Sequence, residues 1–310
     1  MSTSAGDDAR AVRLVPHPDD TRLADDLETR LGSLESAARR VRRAADPEAV
    51  HDLRVASRRL TAALALWSPR LPGRAAVRAR RRVRRLRRAL RGARDLEVAR
   101  AEIAERLPHL EPATRVAVEA LAARLDRRLA AENRRARARV TGGRLARIRR
   151  AVERAIARRD LTPLELSALQ TMARTHVESQ RRVGLQSLAT AARHDVPPAW
   201  HRARLDIKRW RYAAECTRSL LAGAEGAEPE RAPLLDALKA AQEALGRVQD
   251  LVVLTGFARA RLHRAAAQAR HAETAALARF LETLAAEQRA AMAAAYRLAT
   301  TLSAGEAAGA

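Results

Sequence analysis

The sequence contains few of the residues that form disulfides, sheets or membrane spans. Its 310 residues include one cysteine, Cys216, and only two Phe, two Tyr and three Trp. A single thiol excludes an intrachain disulfide and is consistent with a reducing compartment. The polar N-terminus lacks the apolar core of a signal peptide, and no apolar run reaches about 18 residues. We therefore expect a soluble, cytoplasmic protein that makes no contact with a membrane.

Lysine is also nearly absent, yet the chain is strongly basic. Lys208 and Lys239 are the only lysines among 60 Lys+Arg residues, which stand against 36 Asp+Glu and give a net charge of +24. A GC-rich genome would account for arginine in place of lysine, but not for the excess of positive charge. A charge of this sign favours polyanionic partners such as nucleic acid, polyphosphate or an anionic surface.

The composition and the hydrophobic pattern both predict helices. Alanine, leucine and arginine favour helices, whereas β-branched and aromatic residues, which favour strands, are scarce. Apolar residues recur at helical spacing, and Pro and Gly separate about four main helices in each half. We predict an all-α fold of two antiparallel four-helix bundles, related by an internal pseudo-two-fold. The expected boundaries are a disordered tail at 1–17, bundles at 18–159 and 160–304, and a tail at 305–310.

Two segments that lie 150 residues apart repeat the pattern His-x-x-Arg-x-x-x-(Arg/Lys)-Arg. The first begins at His51 and the second at His201. A helix turns about 100° per residue, so the His and the basic residues three and seven positions later share one face. The second copy continues this stripe with Arg211, where the first has Thr61. A stripe that is built twice predicts a site for an anion with many charges.

A further pair of matching segments supports an internal duplication. At an offset of 155, Asp95 aligns with Asp250 and Arg84 with Lys239, between matching apolar positions. We interpret the chain as a tandem repeat. Asp95 and Asp250 are predicted to be structural, either as helix caps or as arginine partners.

These motifs, in this order, resemble the two signatures of the CHAD family (conserved histidine α-helical domain). The first signature is His51 to Leu60 with Leu90 to Val98, and the second is His201 to Tyr212 with Leu245 to Asp250. The resemblance implies a stand-alone helical domain that binds inorganic polyphosphate without catalysis and that is targeted to polyphosphate granules, where polyphosphate-associated proteins are further partners. The polyphosphate-binding residues predicted from the motifs and the resemblance are His51, Arg54, Arg58, Arg59, Arg84, Arg88, His201, Arg204, Lys208, Arg209, Arg211 and Lys239.

Several alternatives remain open at this stage. The net charge also supports non-specific nucleic-acid binding by counterion release, although only Trp210 and Tyr212 lie near the motifs for base stacking. A basic surface could instead recruit acidic proteins, and His51 and His201 could touch the ligand or be structural. His176 lies on an apolar helix face, so we expect it in the core or lining a cavity. The chain lacks P-loop, His-Glu-x-x-His and paired-cysteine motifs, so we predict no enzyme activity, cofactor or metal site.

Overall fold

The computed structural model describes residues 18–43, 47–162, 165–221 and 231–307. In this part of the chain the regular structure is ten α-helices and two single-turn 3-10 helices, with no strand, so the all-α class is confirmed. The tail expected at 1–17 lies outside the described residues. The helices are α1 (Pro18–Arg43), α2 (Pro47–Leu66), α3 (Gly73–Ala89), α4 (Arg91–Arg106), α5 (Pro112–Arg139), α6 (Gly142–Ala157), α7 (Leu166–His194), α8 (Pro197–Leu221), α9 (Arg231–Ala267) and α10 (His271–Ala307).

The helix ends follow the Pro and Gly pattern closely, with two differences. The glycine pattern predicts that the third helix, which starts near Arg74, breaks near Gly92. The interruption falls at Leu90, where ψ is 4°, and Gly92 lies in the first turn of α4. At the other end of the chain α10 continues to Ala307, beyond the start of the tail expected at 305–310. None of the described helices has the length and apolar character needed to cross a membrane.

Three main apolar cores hold the described helices together. One core lies mainly among α1, α2, α3 and α6, includes Leu53 and Leu86, and extends to Leu169 of α7 and Leu220 of α8. A second lies among α7, α8, α9 and α10 around Trp200 and Trp210. In the third, α4 and α5 pack against α9 and α10 around Phe280. This third core joins the two halves of the sequence, and the arrangement as two bundles related by a pseudo-two-fold stays a prediction.

The two helices that carry the repeated basic pattern, α2 and α8, are in contact with each other. On its other side α8 packs closely on α7 because Gly184 has no side chain. A Cβ at Gly184 would lie 3.2 Å from Cε3 of Trp210 and 3.4 Å from Cδ1 of Ile207. The apolar face of α8 is therefore held against α7, while its basic face is left on the side of α2.

The turn between α9 and α10 contains a strained residue, Ala269, whose φ is 53°. The N–H of Arg270 donates to the carbonyl of Ala265, and the N–H of Ala269 donates to that of Ala266, both at 3.0 Å. These two bonds form a Schellman motif with alanine at the position that usually holds glycine.

We expect Ala269→Gly to raise the free energy of unfolding by about 1 kcal/mol, because glycine adopts the left-handed conformation without a Cβ clash. Urea unfolding measures the change. Ala260→Gly, in the exposed interior of α9, is the control and should instead lower stability by about 0.5–1 kcal/mol. A loss of stability in Ala269→Gly equal to that of the control would contradict the assignment of strain to Ala269.

Candidate functional site

The basic faces of α2 and α8 meet where these two helices are in contact. Arg204 of α8 and Arg58 of α2 both lower the pKa of Lys208. The charge of Arg58 also lowers the pKa of Arg204 across the interface and that of Arg54 along α2. Since charge–charge interactions weaken with distance, these four side chains lie close together. The two stripes found in the sequence therefore meet at one place.

Helices α3 and α4 add cations to the same place. Arg84 was predicted from the sequence as a binding residue. Its charge and that of Arg209 of α8 add to burial in lowering the pKa values of Arg80 and Arg87 on α3. From α4, Arg94 lowers the pKa values of Arg54 and Arg204. Together these side chains form what we call the central basic cluster: Arg54, Arg58, Arg80, Arg84, Arg87, Arg94, Arg204, Lys208 and Arg209.

Sequence reasoning missed Arg80, Arg87 and Arg94 in this cluster. Arg80 and Arg87 lie four residues before and three residues after Arg84, which places them on the same face of α3. That spacing is a usable signal, but the arginines from Arg78 to Arg94 cover nearly every helical face. Only the packing of α3 against α2 shows which of them face the two motif helices.

Burial and mutual repulsion both act on the cations of the cluster. Burial, followed by the charges of Arg204 and Arg58, lowers the pKa of Lys208 from 10.5 to about 6. Burial is also the largest cause that lowers the pKa of Arg54, which falls to about 10. The pKa values of Arg80, Arg87 and Arg204 fall for the same reason. Burial thus disfavours the charged form of these groups, and their mutual repulsion adds to the effect of burial.

The two carboxylates that the sequence analysis marked as structural lie beside the cluster. Oδ1 of Asp250 is 4.0 Å from Nη2 of Arg204. Asp95 raises the pKa values of Arg54 and Arg204, which opposes the effect of burial. Burial raises the pKa of Asp250 despite the nearby positive charges. Both aspartates lie inside helices rather than at N-caps, so they act as arginine partners and compensate only part of the positive charge.

Arg204 holds a hydrogen-bond donor that no described residue satisfies. Its Nε is buried and has no partner in the described part of the chain. Gly246 of α9 lies beside this atom, because a Cβ there would be 4.0 Å from it, which is an ordinary van der Waals distance. Buried donors are nearly always paired in folded proteins, so an unpaired donor at a cationic site indicates a position for an acceptor from a ligand or a water molecule.

The three histidines near the motifs occupy different environments. Nδ1 of His201 forms a hydrogen bond with Oε1 of Gln249, which assigns the proton to Nδ1 because the amide oxygen can only accept. His51 is half-buried one turn before Arg54 on α2. His176, expected in the core or lining a cavity, is half-buried on α7. Burial and then the charge of Arg80 lower its pKa, so it lies next to the cluster.

Arg209 is fixed by a fully buried carboxylate. Asp206 accepts hydrogen bonds from Oγ of Ser187 at 2.7 Å and from Nε of Arg202 at 2.8 Å, and it also accepts one from Arg209. More than half of the Arg209 side chain, 55%, remains exposed. Asp206 therefore orients Arg209 at the edge of the cluster without burying its guanidinium group.

Four other predicted residues are not among the coupled cations. Arg211 donates from Nε to Oε1 of Gln242 at 3.0 Å, pairs with Glu215 and lies 4.8 Å from the ring centroid of Tyr212. The charge of Arg59 acts on Cys216 of α8, whose pKa is raised to about 12 mainly by burial. Arg88 and Lys239 are exposed, and neither makes a hydrogen bond or ion pair with a described residue.

The cluster offers charge and hydrogen-bond donors rather than metal ligands. Among the described residues, no group of three or more His, Cys, Asp or Glu side chains could hold a metal ion. Guanidinium groups present fixed forks of N–H donors that match the oxygens of phosphate or carboxylate. Cations from α2, α3, α4 and α8 therefore form a surface that suits an extended anion.

Comparison with known proteins identifies the family. The CHAD domain model matches residues 25–259, and the chain belongs to the CHAD domain family, which confirms the resemblance seen in the motifs. The crystal structure of the CHAD domain from the plant Ricinus communis has a TM-score of 0.63 and 25% identity, over 89% of this chain and 91% of that one. PptA from Streptomyces chartreusis has a TM-score of 0.61 over 91% and 99% of the two chains, and at 20% identity it supports the fold alone. No curated protein matches the chain.

Proposed function

We propose that this protein binds inorganic polyphosphate in the central basic cluster and that the cluster has no catalytic role. The observation that carries the proposal is the meeting of nine cations from four helices, which outnumber the nearby carboxylates of Asp95, Glu97, Asp206 and Asp250. Burial and mutual repulsion lower the pKa values of several of these cations. Membership of the CHAD family supports the same ligand. In the cell this binding would recruit the protein to polyphosphate granules and to the proteins associated with them.

The chemistry of polyphosphate matches the cluster. The polymer carries about one negative charge per phosphate and has no bases to be read, so charge-assisted contacts to guanidinium groups supply the affinity. Each such contact contributes about 1.5–3 kcal/mol. A bound polyanion also offsets the repulsion among Arg54, Arg58 and Arg204 that is present in the free protein, and it favours the charged form of Lys208.

Competition between polyphosphate and duplex DNA tests the proposal. We expect long-chain polyphosphate to bind at moderate salt and to displace duplex DNA when both are supplied at equal phosphate concentration. The reason is that the cluster lies between packed helices, where a flexible chain fits and a rigid duplex meets only the outer charges. Fluorescence anisotropy with each labelled polymer, repeated across a salt series, measures both affinities.

Two results of this competition would reject the proposal. The first is the absence of polyphosphate binding at moderate salt. The second is displacement of polyphosphate by duplex DNA at equal phosphate concentration, which would favour general nucleic-acid binding through the net charge of +24. A partner protein that stays bound after polyphosphate has been removed would instead point to a scaffold for acidic proteins.

A further inference from the structure

A second concentration of arginines lies away from the central basic cluster, where α5 meets the end of α9 and the start of the turn to α10. They line a cleft of about 460 Å³, which we call the distal cleft. Its basic residues are Arg124 and Arg127 of α5, Arg261 and Arg264 of α9, and Arg270 of the turn. Arg261 lies eleven residues beyond Asp250, so at 1.5 Å per residue the cleft begins about 16 Å further along α9.

The positive charge of the distal cleft is only partly compensated. None of the residues that line it is acidic. Glu273 of α10 accepts from Nε of Arg261 at 2.6 Å and from Arg270 at 3.4 Å, which accounts for these two arginines. Arg124, Arg127 and Arg264 form no ion pair or hydrogen bond with any described residue. Three guanidinium groups thus share one cleft without a protein counter-charge.

Arg124 differs from an ordinary solvated arginine. Its Nε is buried and has no hydrogen-bond partner in the part of the chain that the structure describes. A buried, unpaired donor costs about 1–3 kcal/mol, and more when the group is charged. Simple solvation of a surface arginine would leave this atom in contact with water. Its placement instead matches a donor held in position for an acceptor.

A second arginine-containing cleft on the same protein shows the opposite charge balance. It includes Arg106 and Arg247, near the contact of α4 with α9 and α10. There Arg106 donates from Nε to Glu287 at 3.0 Å, and Arg247 donates to Glu102 at 2.8 Å. The protein therefore pairs Arg106 and Arg247 of that cleft with its own carboxylates, whereas Arg124, Arg127 and Arg264 of the distal cleft have no such partner among the described residues.

We propose that the distal cleft is a second binding site for a phosphate-bearing anion of several charges. The anion could be the far part of a polyphosphate chain that is already bound at the central basic cluster, or it could be a separate oligophosphate. The first alternative rests on the proposed function. Arg128 lies 5.3 Å from the ring centroid of Phe257, which falls between Asp250 and Arg261 along α9, so a further cation lies beside the stretch of α9 that separates the two places. Two linked sites would give a long chain a higher affinity than either site alone.

Calorimetric titration of the full chain with tripolyphosphate tests the site. The distal variant is Arg124→Ala/Arg127→Ala/Arg264→Ala. The matched control, Arg134→Ala/Arg259→Ala/Arg289→Ala, removes the same charge from exposed positions of α5, α9 and α10. We expect the distal variant to lose one bound tripolyphosphate per protein and the control to lose none. Thermal unfolding of each variant verifies that the protein is folded.

Long-chain polyphosphate distinguishes the two sources of the anion. If one chain occupies both sites, the distal variant should bind it on the order of tenfold or more weakly than the control does. If the distal variant loses the bound tripolyphosphate but binds long chains as the control does, the cleft takes a separate anion. Either result supports a second site.

The second site and the proposed function can fail separately. The proposal is overturned if the distal variant and its control bind the same number of tripolyphosphate ions, or if the wild type binds none. A variant of the central cluster, Arg58→Ala/Lys208→Ala, should keep the distal ion and lose the central one. If it binds as many ions as the wild type while the distal variant loses one, the distal site stands and the proposed function fails.

Discussion

Replacement of Arg54, Arg58, Arg204 and Lys208 by alanine should abolish measurable polyphosphate binding. These are the side chains that couple across the contact between α2 and α8. At about 1.5–3 kcal/mol for each charge-assisted contact, four lost contacts amount to about 6 kcal/mol or more. That loss corresponds to a decrease in affinity of more than about 10,000-fold. Anisotropy of labelled long-chain polyphosphate measures it.

A matched control separates the loss of this site from the loss of net charge. Arg74, Arg150, Arg193 and Arg289 are exposed, and no described carboxylate pairs with any of them. Their replacement by alanine removes the same charge and should weaken binding only a few-fold, with the difference shrinking as salt increases. Loss of affinity in the cluster variant no greater than in this control would place the binding site elsewhere.

Polyphosphate binding at pH 7.5 should draw about one proton onto Lys208. The pKa of this amine is lowered to about 6, first by burial and then by Arg204, Arg58 and Arg54, with Asp250 opposing them, so it is mostly neutral in the free protein at that pH. A polyanion next to it favours the ammonium form and raises the pKa again. Calorimetry in two buffers of different ionisation enthalpy measures the proton uptake.

Lys208→Met isolates the contribution of this residue. His176 next to the cluster can also take up a proton, but the difference between the wild type and Lys208→Met isolates Lys208. We expect proton uptake at pH 7.5 to fall by close to one in the variant. We also expect the affinity of the wild type to increase more than that of the variant as the pH falls from 8 to about 6. Equal proton uptake in the two proteins would contradict this assignment.

The same substitution should stabilise the free protein. Between pH 6 and 10.5 the unfolded chain holds a proton on Lys208 that the folded chain does not. This lysine therefore lowers the free energy of unfolding, and the loss shrinks as the pH rises towards 10.5. Methionine removes this cost, which at pH 7 is on the order of a few kcal/mol. Thermal unfolding at pH 7 and pH 10 should show a larger gain for Lys208→Met at pH 7.

Helical periodicity was sufficient to predict part of the central basic cluster, whereas the role of these residues in binding stays a prediction. Arg54 and Arg58 of α2, and Arg204 and Lys208 of α8, share the face that the repeated spacing predicts. Arg211 has the right spacing for the same stripe, but Gln242 and Glu215 hold its guanidinium group. Periodicity places a residue on a face, whereas its partners are set by neighbouring helices that the spacing does not reveal.

The fold shows the same limit on sequence reasoning. The helices and the interruption near Gly92 follow from Pro, Gly and apolar spacing. The internal repeat, however, relates equivalent positions of two halves and does not show which helices cross between them. The packing of α4 and α5 against α9 and α10 therefore could not be read from it. The presence of Arg80, Arg87 and Arg94 in the central basic cluster depends on tertiary contacts in the same way.

The shared core around Phe280 makes the two halves of the sequence dependent on each other. A fragment that ended before α7 would leave Leu96, Ile103 and Leu125 without the α9 and α10 surfaces that cover them. Such a fragment would be prone to aggregate, because its exposed apolar side chains would seek other partners. Neither half of the sequence should therefore fold as an independent unit when it is expressed alone.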